Sequence, residues 1–125
     1  KKHDFKIFFQ PKIDINTKQI YGAETLVRWM HPTLGMIYPE QFISLFEQDN
    51  KIIKLDNYIF ENLCQIIARW KENNIKVMPV SFNISRVHLN DENFVNDLVD
   101  IKNRYNIDDG ILEIELTESI FIDFD

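Results

Sequence analysis

The sequence predicts an α/β protein in which, after an initial pair of strands, helices alternate with strands. Short segments have β-like composition and longer ones carry apolar residues at spacings of three and four. No repeat, low-complexity tract or Gly/Ser linker divides the chain, which therefore reads as one folding unit or part of one. Its 125 residues, 45% of them hydrophobic, are enough to bury a substantial core. The predicted order is β-β-α-α-β-α-β.

Four strands are expected. The first contains an apolar run and ends at a turn over residues 16–18, so the second should follow at once as its hairpin partner. A break at residues 31–35, which include a proline and a glycine, ends the second strand. The four strands are predicted at residues 6–15, 20–29, 77–85 and 111–117.

Three helices are expected. Pro39 suits the first position of a short helix. A longer helix follows, with one apolar face. Asn90 or Asp91 is the expected N-cap of the last helix. The three helices are predicted at residues 39–46, 52–70 and 91–105.

Three of the predicted strands carry a polar face, whereas parallel strands covered by helices are usually apolar on both faces. Because side chains alternate along a strand, the polar residues of each set lie on one side of the sheet. This side could simply be open to water. However, oxygen donors together with one arginine suit Mg²⁺ or Mn²⁺ and a phosphate. The sets are Glu24 and Arg28; Ser81, Asn83 and Ser85; and Glu113, Glu115 and Thr117.

Charge and composition exclude several classes of function. A formal net charge of −6 disfavours a protein that binds a DNA or RNA duplex through Lys and Arg alone, so a phosphate ligand would need cations. No stretch reaches the roughly 20 apolar residues of a membrane span, and we expect no membrane contact by this segment. The single cysteine, Cys64, excludes an internal disulfide and is expected in the core. His31 and His88 lack the spacing of a zinc site.

Several short motifs follow one another along the chain. They are FQPK at 9–12, GAETLVRW at 22–29, PEQFI at 39–43, SFNIS at 81–85 and LEIELTES at 112–119. This ordered series resembles the EAL domains of bacterial cyclic-di-GMP signalling, and the resemblance covers essentially the whole chain. The signature triplet is Glu24, Thr25 and Leu26, where the family has Glu-Ala-Leu, and a threonine beside a metal site could tune that site.

The resemblance implies a TIM-like (β/α)8 barrel whose first strand is antiparallel to the others. Such a barrel typically needs about 250 residues, so residues 1–125 are expected to be the N-terminal part of a single EAL domain in a longer protein. The implied activity is that of a cyclic-di-GMP-specific phosphodiesterase. It would hydrolyse one phosphodiester bond to give linear pGpG, using water activated by Mg²⁺ or Mn²⁺.

The resemblance also implies roles for individual residues. Glu24, Asn83 and Glu115 correspond to metal ligands, and Glu24 is central to catalysis. Glu118 also belongs to the implied catalytic set, as a carboxylate that orders a neighbouring loop and does not bind metal. Arg28 corresponds to the residue that holds a substrate phosphate, for which its planar fork is suited.

Gln10 is expected to line the same pocket. Simpler interpretations stay open for the others. Glu24 could be an ordinary surface carboxylate, Asn83 could satisfy backbone groups, and Glu115 could form a salt bridge with Arg28.

Other residues of the family's active site, an Asp-Asp pair, a lysine and a late glutamate, have no counterpart in this sequence. Asp108 and Asp109 precede the last strand and are expected to form a turn with Gly110, and Asp123 and Asp125 come too early to replace the pair. The isolated segment is therefore expected to be inactive.

Three functions stay open for the intact protein: an active phosphodiesterase, a degenerate cyclic-di-GMP receptor, or a scaffold. The resemblance further implies cyclic-di-GMP as ligand, a homodimer, and a cytoplasmic domain whose parent protein could be membrane-anchored.

Overall fold

A computed structural model describes residues 5–37, 51–85 and 93–117. These residues form one mixed sheet with the strand order β1-β2-β4-β5, and β3 pairs with β2. The pair β1–β2 is antiparallel, whereas β2–β4 and β4–β5 are parallel. The elements are β1 (Phe5–Ile13), β2 (Ile20–His31), β3 (Gly35–Ile37), α1 (Lys51–Glu72), β4 (Val80–Ser85), α2 (Phe94–Arg104) and β5 (Leu112–Thr117).

The four predicted strands and the last two predicted helices are present, in the predicted order, with ends that shift by a few residues. The short strand β3 was not expected; it follows the turn at residues 32–34. The expectation that Asn90 or Asp91 caps the last helix is wrong, because the N-cap of α2 is Asn93, which makes no capping hydrogen bond with its side chain. The predicted helix at 39–46 lies outside the described residues.

A tight turn sets the pairing of β1 with β2. The carboxylate of Asp14 accepts hydrogen bonds from the backbone N–H groups of Asn16 and Thr17, at 2.8 and 3.3 Å. Lys18 adopts a positive φ of 61°, which the turn requires. The resulting register places Gln10 opposite Glu24.

The core lies between one face of the sheet and the two helices. On β4, Val80, Phe82 and Ile84 are each only 2% exposed. Phe82 packs against Phe60 of α1, with ring centroids 5.6 Å apart. The apolar face of α1 therefore covers the side of the sheet to which these β4 residues point. Other buried members of the core are Leu55, Ile59, Leu63, Ile67, Leu98, Ile101 and Ile107.

Close backbone approach fixes the start of the β2–β4 pairing. Gly22 is buried, and a Cβ at this position would lie 2.8 Å from the carbonyl oxygen of Pro79. The next residue, Ala23, donates its N–H to the same oxygen at 2.9 Å. A larger residue at position 22 would force the strands apart just below the predicted metal ligands.

Cys64 lies in the core, as predicted, with no exposed surface. Burial raises the pKa of its thiol to about 12, with a smaller contribution from the Glu61 carboxylate. The thiol is therefore protonated at neutral pH and is not a nucleophile. Among the described helices, none is both long enough and apolar enough to span a membrane.

Candidate metal centre

The sheet register aligns the polar residues of neighbouring strands. Glu24 on β2 is opposite Ser81 on β4, and Asn83 on β4 is opposite Glu115 on β5. Since residues in register in a parallel pair point to the same side, the four side chains belong to one face of the sheet. This is the face opposite the one that carries Val80, Phe82 and Ile84. We call it the polar face.

Glu24 and Asn83 are in direct contact. The side-chain Nδ2 of Asn83 donates a hydrogen bond to Oε2 of Glu24 at 2.8 Å, and both residues are half-buried. Glu24 is thus not an isolated surface carboxylate, and the Asn83 nitrogen bonds a side chain instead of the backbone. The bond leaves the amide oxygen of Asn83, the atom that a hard cation prefers, available to a ligand.

Glu115 completes the predicted set by its position. Its backbone is aligned with that of Asn83, and it is exposed. Arg28 and Glu115 lie on strands that are not neighbours in the sheet, since β4 separates β2 from β5. The alternative salt bridge between these two residues stays a prediction.

Arg28 and Gln10 lie on the polar face at different distances from Glu24. Gln10 is directly opposite Glu24 on β1 and is exposed. Arg28 lies four residues further along β2, or about 13 Å at the usual rise of a strand. Its Nη1 donates to the carbonyl oxygen of Val27 at 2.9 Å. A ligand that reaches both Glu24 and Arg28 would have to extend along β2.

Thr25 does not share the polar face with the predicted metal ligands. That it could tune the site stays a prediction, and such an effect would have to act through the backbone. Thr25 follows Glu24 on the strand and therefore points to the helix-covered face, where it is 4% exposed. There its hydroxyl donates a hydrogen bond to the carbonyl oxygen of Ser81 at 2.8 Å.

Ser81 is a feature of the site that the sequence did not single out. It is 1% exposed, and its hydroxyl has no hydrogen-bond partner among the described residues. Its register partners are Glu24 and Glu113. Its place in the polar set of β4 was visible in the sequence, but its burial was not; β4 lies between β2 and β5 in the sheet.

The donor chemistry fits a single hard cation. Two carboxylates and one amide oxygen on adjacent strands form the type of oxygen set that Mg²⁺ or Mn²⁺ takes. No group of three or more His, Cys, Asp or Glu side chains able to hold a metal is found in residues 5–37, 51–85 and 93–117. The predicted set differs from such a group because its third member is the amide of Asn83. Glu118 lies outside the described residues.

Comparisons with known proteins agree with this fold and motif order. The family described as EAL domain matches residues 1–124. A cyclic di-GMP phosphodiesterase of Pseudomonas aeruginosa is 34% identical over 118 residues, which cover 94% of this chain and 20% of that protein. This chain belongs to the EAL-domain family.

Solved structures show the same fold. The PaMucR phosphodiesterase in complex with cyclic di-GMP matches with a TM-score of 0.85 at 24% identity, over 95% of this chain and 48% of that one. The EAL enzyme Bd1971, in its form bound to cAMP and cyclic di-GMP, matches with a TM-score of 0.75 at 28% identity, over 97% of this chain and 34% of that one. The chain thus spans less than half the length of these structures.

Proposed function

We propose that this chain is the N-terminal part of a single EAL domain in a longer cytoplasmic protein, and that the complete domain is a cyclic-di-GMP phosphodiesterase. The observation that carries the proposal is the contact of Glu24 with Asn83, 59 residues apart in sequence, on a polar face that also includes Glu115. A fold stabilised by its other face has no packing need for this arrangement. The complete domain would be a barrel and would act as a homodimer.

In this proposal Glu24, Asn83 and Glu115 hold a Mg²⁺ or Mn²⁺ ion. Such an ion, when bound, would supply activation of water and stabilisation of charge on the attacked phosphoryl group. Arg28 binds a phosphate of cyclic-di-GMP through its guanidinium group, and Gln10 contacts the ligand beside Glu24. Glu118 orders a neighbouring loop. The hydrolysis product is linear pGpG.

The test uses a protein that carries the complete domain, with cyclic-di-GMP and Mn²⁺ or Mg²⁺, and measures the linear dinucleotide by chromatography. Glu24→Gln should lower turnover by about a thousandfold or more, because it removes the charge of a ligand, equivalent to about 4 kcal/mol of transition-state stabilisation. Arg28→Ala should mainly raise KM, since it removes a contact to substrate. Glu72→Gln, at the exposed end of α1, is the matched control and should leave both parameters unchanged.

Raising the metal concentration separates the two roles. Excess Mn²⁺ should partly rescue Glu24→Gln and should not rescue Arg28→Ala. Equal rescue of both variants would contradict the assignment. Tight binding of cyclic-di-GMP without any product would select the receptor function, and absence of both binding and turnover would select the scaffold.

A further inference from the structure

We propose that Thr25, the residue that departs from the family's signature triplet, is a positioning residue for the metal centre and acts through the opposite face of the sheet. Its hydroxyl holds β2 against β4 at the register that brings Glu24 to Asn83. This inference rests on the proposed function only in taking Glu24 and Asn83 as ligands of a divalent cation.

The first argument is the position of the bond. The residue pairs between β2 and β4 are Ala23 with Val80 and Glu24 with Ser81, and the pairing ends there. The hydrogen bond from Thr25 Oγ1 to the Ser81 carbonyl, at 2.8 Å, lies at the end of this short ladder. The bond joins β2 to β4 where the backbone pairing stops, next to Glu24.

The second argument is that the Ser81 side chain makes no hydrogen bond to a described residue that would fix the offset of β4 against β2. The Ser81 hydroxyl is buried and lacks a hydrogen-bond partner among the described residues. The Asn83 side chain must reach Glu24 from a position two residues beyond Ser81 on β4. A small shift of β4 along β2 would therefore lengthen the 2.8 Å contact between Asn83 and Glu24.

The third argument is that an alanine at position 25 could not make this bond. Thr25 is 4% exposed, so its hydroxyl must be satisfied within the protein, and the Ser81 carbonyl does so. Valine has nearly the same shape as threonine and lacks the donor, whereas serine keeps the donor and lacks only the methyl group. These two variants separate the hydrogen bond from the packing.

The test measures Mn²⁺ affinity by isothermal titration calorimetry in a protein that carries the complete domain. Thr25→Val and Thr25→Ala should weaken Mn²⁺ binding by about three- to tenfold, the effect expected when one buried hydrogen bond is lost. Thr25→Ser should restore affinity to within about twofold of the unchanged protein. Turnover of cyclic-di-GMP at saturating Mn²⁺ should recover in all three variants.

A control separates positioning from stability. Tyr105→Phe removes two hydrogen bonds between the C-cap of α2 and helix α1: the one that the Tyr105 hydroxyl donates to Glu61 at 2.7 Å and the one that it accepts from Gln65 at 3.0 Å. It should lower thermal stability at least as much as Thr25→Val and leave Mn²⁺ affinity unchanged. Equal affinity in Thr25→Val and the unchanged protein, or tighter binding by Thr25→Ala, would overturn the inference, as would the absence of Mn²⁺ binding in the unchanged protein. Mn²⁺ binding that follows the expected pattern without any hydrolysis would sustain the inference and reject only the proposed phosphodiesterase activity.

Discussion

The two faces of strand β4 differ in residue type and in burial. On one face, Val80, Phe82 and Ile84 are buried under α1 and contribute to the core. On the other face, Ser81 and Asn83 lie among carboxylates, and burial there decreases from 1% exposure at Ser81 to a half-buried Asn83. The first face is held by removal of apolar surface from water. The second includes a hydrogen bond between polar side chains, from Asn83 to Glu24.

The residues that stabilise this fold and the residues proposed to bind metal lie on different faces of the sheet. Because side chains alternate along a strand, a residue and its immediate neighbour can belong to different systems. Phe82 contacts the Phe60 ring on the helix side, and Asn83 contacts Glu24 on the polar side. The same contrast applies to Glu24 and Thr25 on β2, except that Thr25 links the two systems through its bond to Ser81.

Substituting Phe82 and its neighbour Asn83, each in a protein that carries the complete domain, should give the largest difference between the two faces. Phe82→Ala should lower the free energy of unfolding by about 3–5 kcal/mol, since it leaves a cavity against Phe60. Asn83→Ala should change it by less than about 1 kcal/mol, and should lower Mn²⁺ affinity and turnover by about a hundredfold or more, because one of three proposed ligands is lost. Urea unfolding and calorimetric titration measure the two effects.

Phe82→Leu is the control for side-chain volume. It should lower the free energy of unfolding by less than half as much as Phe82→Ala, because most of the side-chain volume is kept. A large loss of stability in Asn83→Ala would contradict the separation. The separation would also be contradicted if Phe82→Leu lowered the free energy of Mn²⁺ binding by more than it lowered the free energy of unfolding.

Alternation of side chains explains how much of the site could be predicted. Period two alone placed Glu24 on one side of β2 and both Ser81 and Asn83 on one side of β4, and the register then aligned these sides. The same rule would have placed Thr25 on the opposite side. The side on which Thr25 lies was not predicted, because the residue was considered only as the sequence neighbour of Glu24.

The extent to which each polar side chain is buried could not be predicted from the sequence. Ser81 and Glu115 belong to the same polar face, yet Ser81 is buried and Glu115 is exposed. Ser81 is on β4, which has a neighbouring strand on each side, whereas Glu115 is on β5, which ends the described strand order. Residue type alone would have placed a serine in water more readily than in the interior.

Short elements also escaped prediction. β3 has three residues, Gly35–Ile37, which is too few to show a period of two. The start of α2 was set too early because several Asn and Asp residues precede it, and each is an acceptable cap. The structure places the N-cap at Asn93, without a capping hydrogen bond from its side chain.

A second comparison, with an expected effect of intermediate size, concerns β4 and β5 on the face of the sheet that the helices cover. Ile114 and Leu116 of β5 are 37% and 43% exposed, whereas the corresponding residues of β4 are buried. β5 also ends the described strand order, so its outer backbone groups have no neighbouring strand among the described elements. We predict that the isolated 125-residue chain self-associates through this strand and has no activity.

Leu116→Lys should weaken that self-association by about tenfold or more, since it places a charge on an edge strand and removes apolar surface. Size-exclusion chromatography with light scattering over a range of concentrations measures it. Ile15→Lys is the matched control, because Ile15 is 87% exposed in the β1–β2 turn, away from β5. A monomeric unchanged chain, or equal effects of both variants, would show that β5 is not the contact.

The smallest effect is expected where charges lie on neither face of the sheet, in the turn between α2 and β5. Asp109 accepts a hydrogen bond of 2.9 Å from the ammonium group of Lys102, and this bond, with the positive charge, lowers the pKa of the Asp109 carboxyl. A lowered pKa in the folded state adds stability above the unfolded value of about 3.9, and this contribution is lost as the pH falls through the folded value. Because Asp109 is fully exposed, solvent screening keeps the contribution small.

We therefore predict that Lys102→Met raises the pKa of Asp109 towards its ordinary value, measured by NMR titration of the carboxyl carbon, without a resolvable change in metal affinity. Lys71→Met is the control, because Lys71 contacts the neighbouring Asp108 at 3.3 Å and should leave the pKa of Asp109 nearly unchanged. An equal shift in both variants would mean that general positive charge, not the Lys102 hydrogen bond, sets this pKa.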